Sequence, residues 1–351
     1  MHALRTVVSR SLSSQCRRFA TAATSGEKKL DIGVVGAGQI GRAVCLGLRK
    51  KGHNVKVCDP NRVNHSELVN NGVTWLAKAR EVCEGADVLI TAVPAPPHVR
   101  KVMEEEGVLE NMKDGACWID HTTTDKDETM RLSAIAKSRG LNMLEAPLTG
   151  GLELLKAGQM TVLVGGDKQV LDRYERIIRS YTETVLHMGD IGTASVVKVL
   201  SNMLAGAHTV LSSEAVMMAK RHGVNLQAFF DGIRASAGNS YVFETEVPLM
   251  FNGTYDPGFK IALHNKDFSL GRQLAMEAKV PLELMGLTEQ IYLRAMYKYG
   301  EDVGSSMPAK LLPDDLNEEP EVKGYEGWTY EIQKVEGGGI AVVHRGVKKT
   351  E

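Results

Sequence analysis

Residues 30–41 read LDIGVVGAGQIG. An apolar run, 30–35, leads directly into Gly36-Ala37-Gly38-Gln39-Ile40-Gly41. Residues 42–51 then show helical spacing, with Ile40, Val44 and Leu48 on one side and Gly52 as the stop. Strand, glycine turn and helix stand in the order that a dinucleotide-binding unit requires. In this reading Gly36 permits the tight turn, Gly38 lets a pyrophosphate approach the backbone, and Gly41 lets helix and strand pack closely. Gln39 and Ile40 open the helix, whose free N–H groups and positive dipole end face the phosphates. A lone GxGxxG is weak evidence, but a second strand, 55–58, follows and ends at Asp59. An acid at that distance accepts hydrogen bonds from the adenosine ribose and repels a 2′-phosphate, which favours NAD over NADP. Arg62, three residues on, is able to pair with such a phosphate, and Asp59 also reads as a plain turn former with Pro60 and Asn61.

Outward from this unit, short apolar runs alternate with helical segments. Residues 86–94 run into Ala95-Pro96-Pro97-His98, and Cys117–Asp120 into His121-Thr122-Thr123-Thr124. Residues 141–146 lead to Pro147-Leu148-Thr149-Gly150-Gly151, and 160–164 to Gly165-Gly166. The pattern predicts a largely parallel sheet with ligands gathered at the carboxyl ends of its strands. Thr149-Gly150-Gly151 offers open backbone N–H groups and a hydroxyl, a combination suited to a small carboxylate, although a bare tripeptide of this kind is more often an ordinary turn.

Residues 192–223 read GTASVVKVLSNMLAGAHTVLSSEAVMMAKRHG and predict one long helix, capped by Thr193 or Ser195 and closed by Gly223. Its first five turns are apolar nearly all round, which predicts burial. Lys198 and Asn202 stand in that run at i, i+4, so they share one face. A buried lysine is costly unless its charge is answered; the plain alternative is a lysine that snorkels to solvent. Further helices are expected over 227–235, Tyr241–Phe251, 263–279 and 282–299, with little strand signal.

Composition narrows the function classes. A net charge of −1 over 351 residues leaves no footprint for nucleic acid. No uninterrupted apolar run reaches the roughly 20 residues that span a bilayer. Five cysteines without CxxC spacing argue against a disulfide framework or zinc site, and no metal is expected. Aromatics make up 5%, which predicts a core of Val, Leu, Ile, Ala and Met. The first 26 residues carry Arg5, Arg10, Arg17 and Arg18 with no acid, and Leu4, Val7, Val8 and Leu12 share a stripe. That is the pattern of a mitochondrial transit peptide, with a mature start near Ala20 and a destination in the matrix; the plain alternative is a disordered cytosolic tail. Residues 313–321 are acidic and proline-containing, read as a linker, and 328–343 predict a terminal β-hairpin.

At this point four signatures, in order between residues 30 and 312, resemble those of the β-hydroxyacid dehydrogenases. The opening fingerprint is GVVGAGQIGRAV from Gly33. An acid followed by A-P-V-S-G-G appears as Glu145-Ala146-Pro147-Leu148-Thr149-Gly150-Gly151. The pattern G-x-G-x-x-x-K, with asparagine four residues later, can be read up to Lys198 and Asn202. A K-D pair after a phenylalanine appears as Phe259 and Lys266-Asp267. Three departures stand out. Asp120-His121-Thr122-Thr123 replaces D-x-S-T, Thr149 replaces serine, and the glycine spacing before Lys198 is shifted.

The resemblance implies an α/β chain: a Rossmann-type doubly wound sheet over residues 27–191, a long interdomain helix, and an all-helical domain over 192–312 used for dimer or tetramer assembly. It implies that Val93, Pro94, His98 and Thr123 contact the cofactor and that Thr149, Gly150 and Gly151 hold the substrate carboxylate, near Thr123. It makes Lys198 the catalytic lysine, Asn202 the residue that fixes the reacting oxygen, and Lys266 a second lysine closing over substrate and nicotinamide. The expected reaction is hydride transfer from a small 3-hydroxy carboxylic acid to NAD. 3-Hydroxyisobutyrate comes first, since a matrix location fits valine breakdown. A semialdehyde reductase using NAD(P)H and a non-catalytic dinucleotide-binding module are the rivals. The retained Lys198 and Asn202 speak against the module.

Overall fold

The computed structural model describes residues 29–334 and 340–348; the predicted transit peptide, Cys16 and the hairpin turn at 336–339 lie outside the described residues. Nine strands form one sheet: β1 (Asp31–Val35), β2 (Asn54–Cys58), β3 (Thr74–Trp75), β4 (Val88–Thr91), β5 (Cys117–Asp120), β6 (Asn142–Glu145), β7 (Leu148–Thr149), β8 (Thr161–Gly165) and β9 (Thr184–Gly189). Their order is β3-β2-β1-β4-β5-β6-β8-β7, with β9 on β8. The strands from β3 to β6 are all parallel and reverse direction of growth between β1 and β4, the arrangement that opens a ligand crevice at the carboxyl ends.

The sheet is less uniformly parallel than the sequence predicts. β8 runs against both β6 and β7. The chain turns back after the short helix Leu152–Ala157, a connection that serves an antiparallel neighbour but is too short for a parallel crossover. Alternate strand residues feed two cores, as the pleat demands. Val34, Ile90, Ile119 and Leu144 pack on one face, and Leu89, Trp118 and Met143 on the other.

Thr193–Arg221, 29 residues long, leaves β9 and becomes the spine of an all-helical half. It packs on β8 and β9 at one end and on helices Tyr241–Phe251, Ile261–Ala278 and Glu283–Tyr299 along its length. Small residues set the closeness of that packing. A Cβ on Gly206 would lie 2.6 Å from the Phe268 ring, and one on Gly271 would lie 2.1 Å from Met203 Sδ. By length and composition this helix is also able to cross a bilayer, yet its inner face is occupied by sheet and helices.

Four expectations change. The spine is not covered all round: Val197, Leu200, Leu204, Leu211 and Met218 are exposed by 40–65%. Apolar count along a helix does not say which face a neighbour covers. The core of the helical half is only partly aliphatic, because aromatic residues concentrate in one of its clusters: Phe230 stacks on Phe243 at 5.4 Å, and Phe251 and Tyr325 join edge-on. The acidic run 313–321 is no free linker. Its first turn is helical (Leu311–Leu316), Pro313 and Pro320 are buried, and Asp314 pairs with Lys310 and Lys298, Asp315 with Arg294, and Glu318 with Arg221. The fourth is the cap of the spine, which Gly192 provides in place of Thr193 or Ser195. Beyond the acidic run, β10 (Thr329–Lys334) and β11 (Ile340–Arg345) form the expected antiparallel pair.

Candidate active site

The glycine loop has the geometry that a pyrophosphate needs. Gly36 sits at φ +96°, where an added Cβ would lie 2.3 Å from the Ala92 carbonyl oxygen, and a Cβ on Gly41 would lie 1.9 Å from the Gly36 oxygen. Gly41 therefore lets the helix press on the turn itself. A Cβ on Gly38 would meet nothing within 4 Å, so that face is open. Gly38 and Gln39 are exposed and Ile40 half-buried at the start of helix Gln39–Lys50, whose first N–H groups have no intrahelical acceptor. Asp59 closes the turn of the plainer reading and braces the glycine loop as well. Its Oδ2 accepts the Ala37 N–H at 2.7 Å and braces the loop, while Oδ1 accepts the Asn61 N–H at 2.6 Å and closes a turn. These residues fit an adenine dinucleotide: the loop is open where phosphates lie, and a carboxylate stands beside it where the ribose would.

The next two loops come from β4 and β5. Val93 donates its N–H to Thr122 Oγ1 at 3.2 Å; Pro94 is exposed, and His98 lies exposed in the helix Pro96–Arg100. Beneath them Asp120 accepts from Thr91 Oγ1 at 2.7 Å and from the Thr122 N–H at 3.0 Å, and Trp118 Nε1 donates to Thr91 Oγ1. Burial pushes the Asp120 carboxyl up to about 6, and the threonine donors act against that shift. His121, wedged between the Ala146 carbonyl and the Tyr181 hydroxyl, is lowered to about 4 by burial and stays neutral. Thr123 presents its carbonyl to Lys266 Nζ at 2.8 Å, a bond that ties the helical half to the sheet.

At Thr149-Gly150-Gly151 the backbone turns through φ +133° and +88° at the two glycines. Thr149 ends β7 and Gly150 gives its carbonyl to the Tyr241 hydroxyl at 2.7 Å. That bond pins the loop from behind.

The spine helix begins without the expected cap. Gly192 takes the capping position at φ +99°, and neither Thr193 nor Ser195 caps with its side chain. The acceptor comes from β6 instead. Glu145 Oε1 accepts the N–H groups of Gly192 (2.6 Å) and Ala194 (2.9 Å), and Oε2 accepts the N–H (3.1 Å) and hydroxyl (2.5 Å) of Ser195. Room for this carboxylate depends on Gly165, where a Cβ would stand 2.1 Å from Glu145 Oε1. Burial raises the Glu145 carboxyl, and the Ser195 hydroxyl and the helix N–H groups pull it back.

One turn on, Lys198 Nζ donates to Asn202 Oδ1 at 2.9 Å, and Asn202 Nδ2 donates to Asp267 Oδ2 at 2.5 Å. Lys266 Nζ lies 2.8 Å from Asp267 Oδ1, an ion pair bent too far for a hydrogen bond. His264 donates from Nε2 to the Asn202 carbonyl at 2.8 Å and stacks on Phe268. Burial lowers the Lys198 ammonium to about 8, against the raising effect of Asp267 and with a small further lowering from Lys266. An amine that titrates there can take a proton from an alcohol and return it to a carbonyl. The structure thus brings Lys198, Asn202 and Lys266 into one line and joins Lys266 to Thr123.

Sequence reasoning missed three members of this constellation. Asp267 was visible beside Lys266, but its contact with Asn202 is made 65 positions away, across two crossing helices. Glu145 carried a motif signal without a role. Tyr241 carried no signal.

Comparison with known proteins agrees with this fold. The NAD-binding domain of 6-phosphogluconate dehydrogenase matches residues 31–189, and the NAD-binding domain of NADP-dependent 3-hydroxyisobutyrate dehydrogenase matches residues 192–312. L-threonate dehydrogenase of Cupriavidus necator is 30% identical, over 81% of this chain and 96% of that relative. 2-(Hydroxymethyl)glutarate dehydrogenase of Eubacterium barkeri is 27% identical, over 80% of this chain and 94% of that relative. Among solved structures, 3-hydroxyisobutyrate dehydrogenase of Mycobacterium tuberculosis with L-serine superposes at a TM-score of 0.75, with 27% identity, covering 81% of this chain and 99% of that one. With two consecutive family domains spanning nearly all of residues 31–312 and the loop geometry of a dinucleotide site, this chain belongs to the β-hydroxyacid dehydrogenase family of NAD-dependent enzymes.

Proposed function

We propose that the protein oxidises a small 3-hydroxy carboxylic acid with NAD, 3-hydroxyisobutyrate first among the candidates, and that Lys198 is its general acid/base. The observation that carries the reading is the Lys198–Asn202–Asp267 line, in which a lysine with its ammonium lowered to about 8 faces an amide oriented by a carboxylate. NAD, held by Gly36, Gly38, Gln39, Ile40 and Gly41 with Asp59 at the ribose and Val93, Pro94, His98 and Thr123 along the inner loops, supplies the hydride acceptor. Thr149, Gly150 and Gly151 hold the substrate carboxylate through open backbone N–H groups and a hydroxyl. Asn202 cannot rotate freely, because Asp267 holds its amide nitrogen, so its oxygen stays on Lys198 and its second N–H is left for the reacting oxygen. The neutral Lys198 amine takes the hydroxyl proton; in the reverse direction its ammonium returns one to the aldehyde oxygen. Lys266 bridges Thr123 and Asp267 and holds the two halves closed over the site.

The compartment is part of the proposal: the arginine-rich, acid-free first 26 residues support import into the mitochondrial matrix, where valine breakdown would supply the substrate. So is assembly. The exposed stripe of Val197, Leu200, Leu204, Leu211 and Met218 supports a homodimer or homotetramer that covers it, measurable by light scattering.

The test is steady-state cofactor reduction with 3-hydroxypropionate, 3-hydroxyisobutyrate, L-serine, L-threonate and 2-(hydroxymethyl)glutarate, each with NAD and NADP. The expected result is turnover of at least one acid with NAD preferred. Binding of NAD without oxidation of any acid, and without reduction of any semialdehyde, sinks the reading.

A further inference from the structure

Residues beyond 312 lie outside the family match, yet they return to the loop that the proposed function assigns to the substrate carboxylate. The Tyr330 hydroxyl of β10 stands 3.3 Å from the Tyr241 hydroxyl, which itself donates to the Gly150 carbonyl at 2.7 Å. With the Tyr241 proton committed to Gly150, Tyr330 is the donor of the second bond. The same hydroxyl lies 3.2 Å from the position of a Cβ on Gly151. Two residues along the strand, Ile332 faces a cavity of about 290 Å³ shared with Thr149, Gly150, Leu154, Thr161 and Tyr241. Tyr330 and Ile332 project to the same face because they are two apart in a strand.

The hairpin is held firmly enough to act as a wall. Its two strands pair through six registered positions, from Thr329↔Arg345 to Lys334↔Ile340. Trp328 stacks on Tyr330 at 5.5 Å and donates from Nε1 to His344 Nδ1 at 2.9 Å. His344 packs edge-on against Phe230, and Arg234, already paired with Glu244, donates to the Val342 carbonyl. Val342 is buried, and the Lys348 N–H returns to the Gly324 carbonyl at 2.9 Å. These contacts anchor the strand pair to helices Leu226–Arg234 and Tyr241–Phe251, so Tyr330 meets Tyr241 from a fixed direction.

We infer that the C-terminal hairpin is a wall of the substrate pocket: Tyr330 is a positioning residue that holds the Thr149–Gly150–Gly151 loop through Tyr241, and Ile332 limits the length of acid that the adjoining cavity accepts. The cavity adjoins the glycine loop, so with the carboxylate held there the substituent on the neighbouring carbon is the part of the acid that the cavity measures. The inference rests on the proposed function, because it takes the glycine loop as the carboxylate site.

The experiment uses the full chain with NAD and two acids, 3-hydroxypropionate as the short one and 2-(hydroxymethyl)glutarate as the long one. Tyr330→Phe removes the hydroxyl and keeps the ring. The expected result is a rise in KM for both acids of about threefold to tenfold, with kcat and the KM for NAD held near wild type. Ile332→Phe fills the cavity, and the ratio of kcat/KM for the long acid to that for the short one is expected to fall about tenfold. A wild-type enzyme that oxidises these acids, with both variants retaining its KM values and its selectivity, overturns the inference and leaves the proposed function standing. A wild type that oxidises neither these acids nor any other 3-hydroxy acid overturns the proposed function, and the inference falls with it. A variant with a raised KM for NAD and a lowered melting temperature shows a merely structural hairpin and also overturns it.

Discussion

At the first turn of the spine helix a carboxylate meets four donors; one turn later a lysine meets a single amide oxygen. Glu145 is buried, Lys198 is half-buried with its ammonium desolvated, and both charges are expensive to hold there. Glu145 has donors on both oxygens, three of them backbone N–H groups of one helix, and a Cβ on Gly165 would lie 2.1 Å from Oε1. Such a network specifies structure: it fixes where the helix starts and in which direction it leaves the sheet. Lys198 has three donors, and among the described residues one acceptor, Asn202 Oδ1, receives one of them. What its ammonium lacks, a ligand can supply. The difference between a scaffold charge and a chemical one is therefore visible as a difference in completeness, over about 5 Å of the same helix.

That contrast predicts opposite responses to deletion. Lys198→Met removes a charge the fold does not welcome, so the melting temperature should hold or rise, while kcat for acid oxidation falls about 10²-fold to 10⁴-fold. Retained activity in a folded Lys198→Met protein ends its role as general acid/base. Glu145→Ala leaves three N–H groups and a hydroxyl without an acceptor at a buried helix start, and is expected to cost about 3 kcal/mol of stability. Denaturant unfolding measures it. If Glu145→Ala unfolds at the wild-type midpoint yet loses as much activity as Lys198→Met, the two clusters are not of different kinds and the comparison fails.

The same contrast marks what the sequence could and could not reveal. The glycine loop was readable because its partners are near in the chain: Gly36, Gly41 and Asp59 lie in one strand–helix–strand unit, and each answers a constraint of that unit. Lys198 and Asn202 were readable because helical spacing alone puts them together. Asp267 was not, since its place depends on two helices approaching closely enough for Gly206 and Gly271 to be required. Nor was the cap of the spine. Thr193 and Ser195 have the right chemistry, but a carboxylate arriving from β6 offers both oxygens to the same N–H groups and turns Ser195 into a donor. The exposed side of the spine escaped for a related reason: hydrophobicity shows that a face wants cover, and only the packing shows what covers it. The terminal hairpin could be predicted as a hairpin, by alternation, but its meeting with Tyr241 is a product of tertiary docking.

The smallest expected effect is a shift in a pH profile, and it separates the two clusters most finely. Lys198 acts in oxidation as the neutral amine, so kcat/KM should fall about tenfold per pH unit as the pH drops below about 8. Reduction of the aldehyde needs the ammonium and should decline on the other side of the same value. Three ionisable groups face Lys198: Asp267 raises its titration, Lys266 lowers it, and the buried His264, itself lowered by burial, stays neutral through this range. Asp267→Asn removes the one influence that opposes burial, so the acidic limb of the oxidation profile should move to lower pH, by about one unit. The proton network around Glu145 contains no group that touches Lys198, so a folded Glu145→Gln protein should leave that limb where it is. A limb that moves with Glu145→Gln and stays fixed with Asp267→Asn would assign the titration to the wrong end of the helix, and the lysine would lose its claim to the proton.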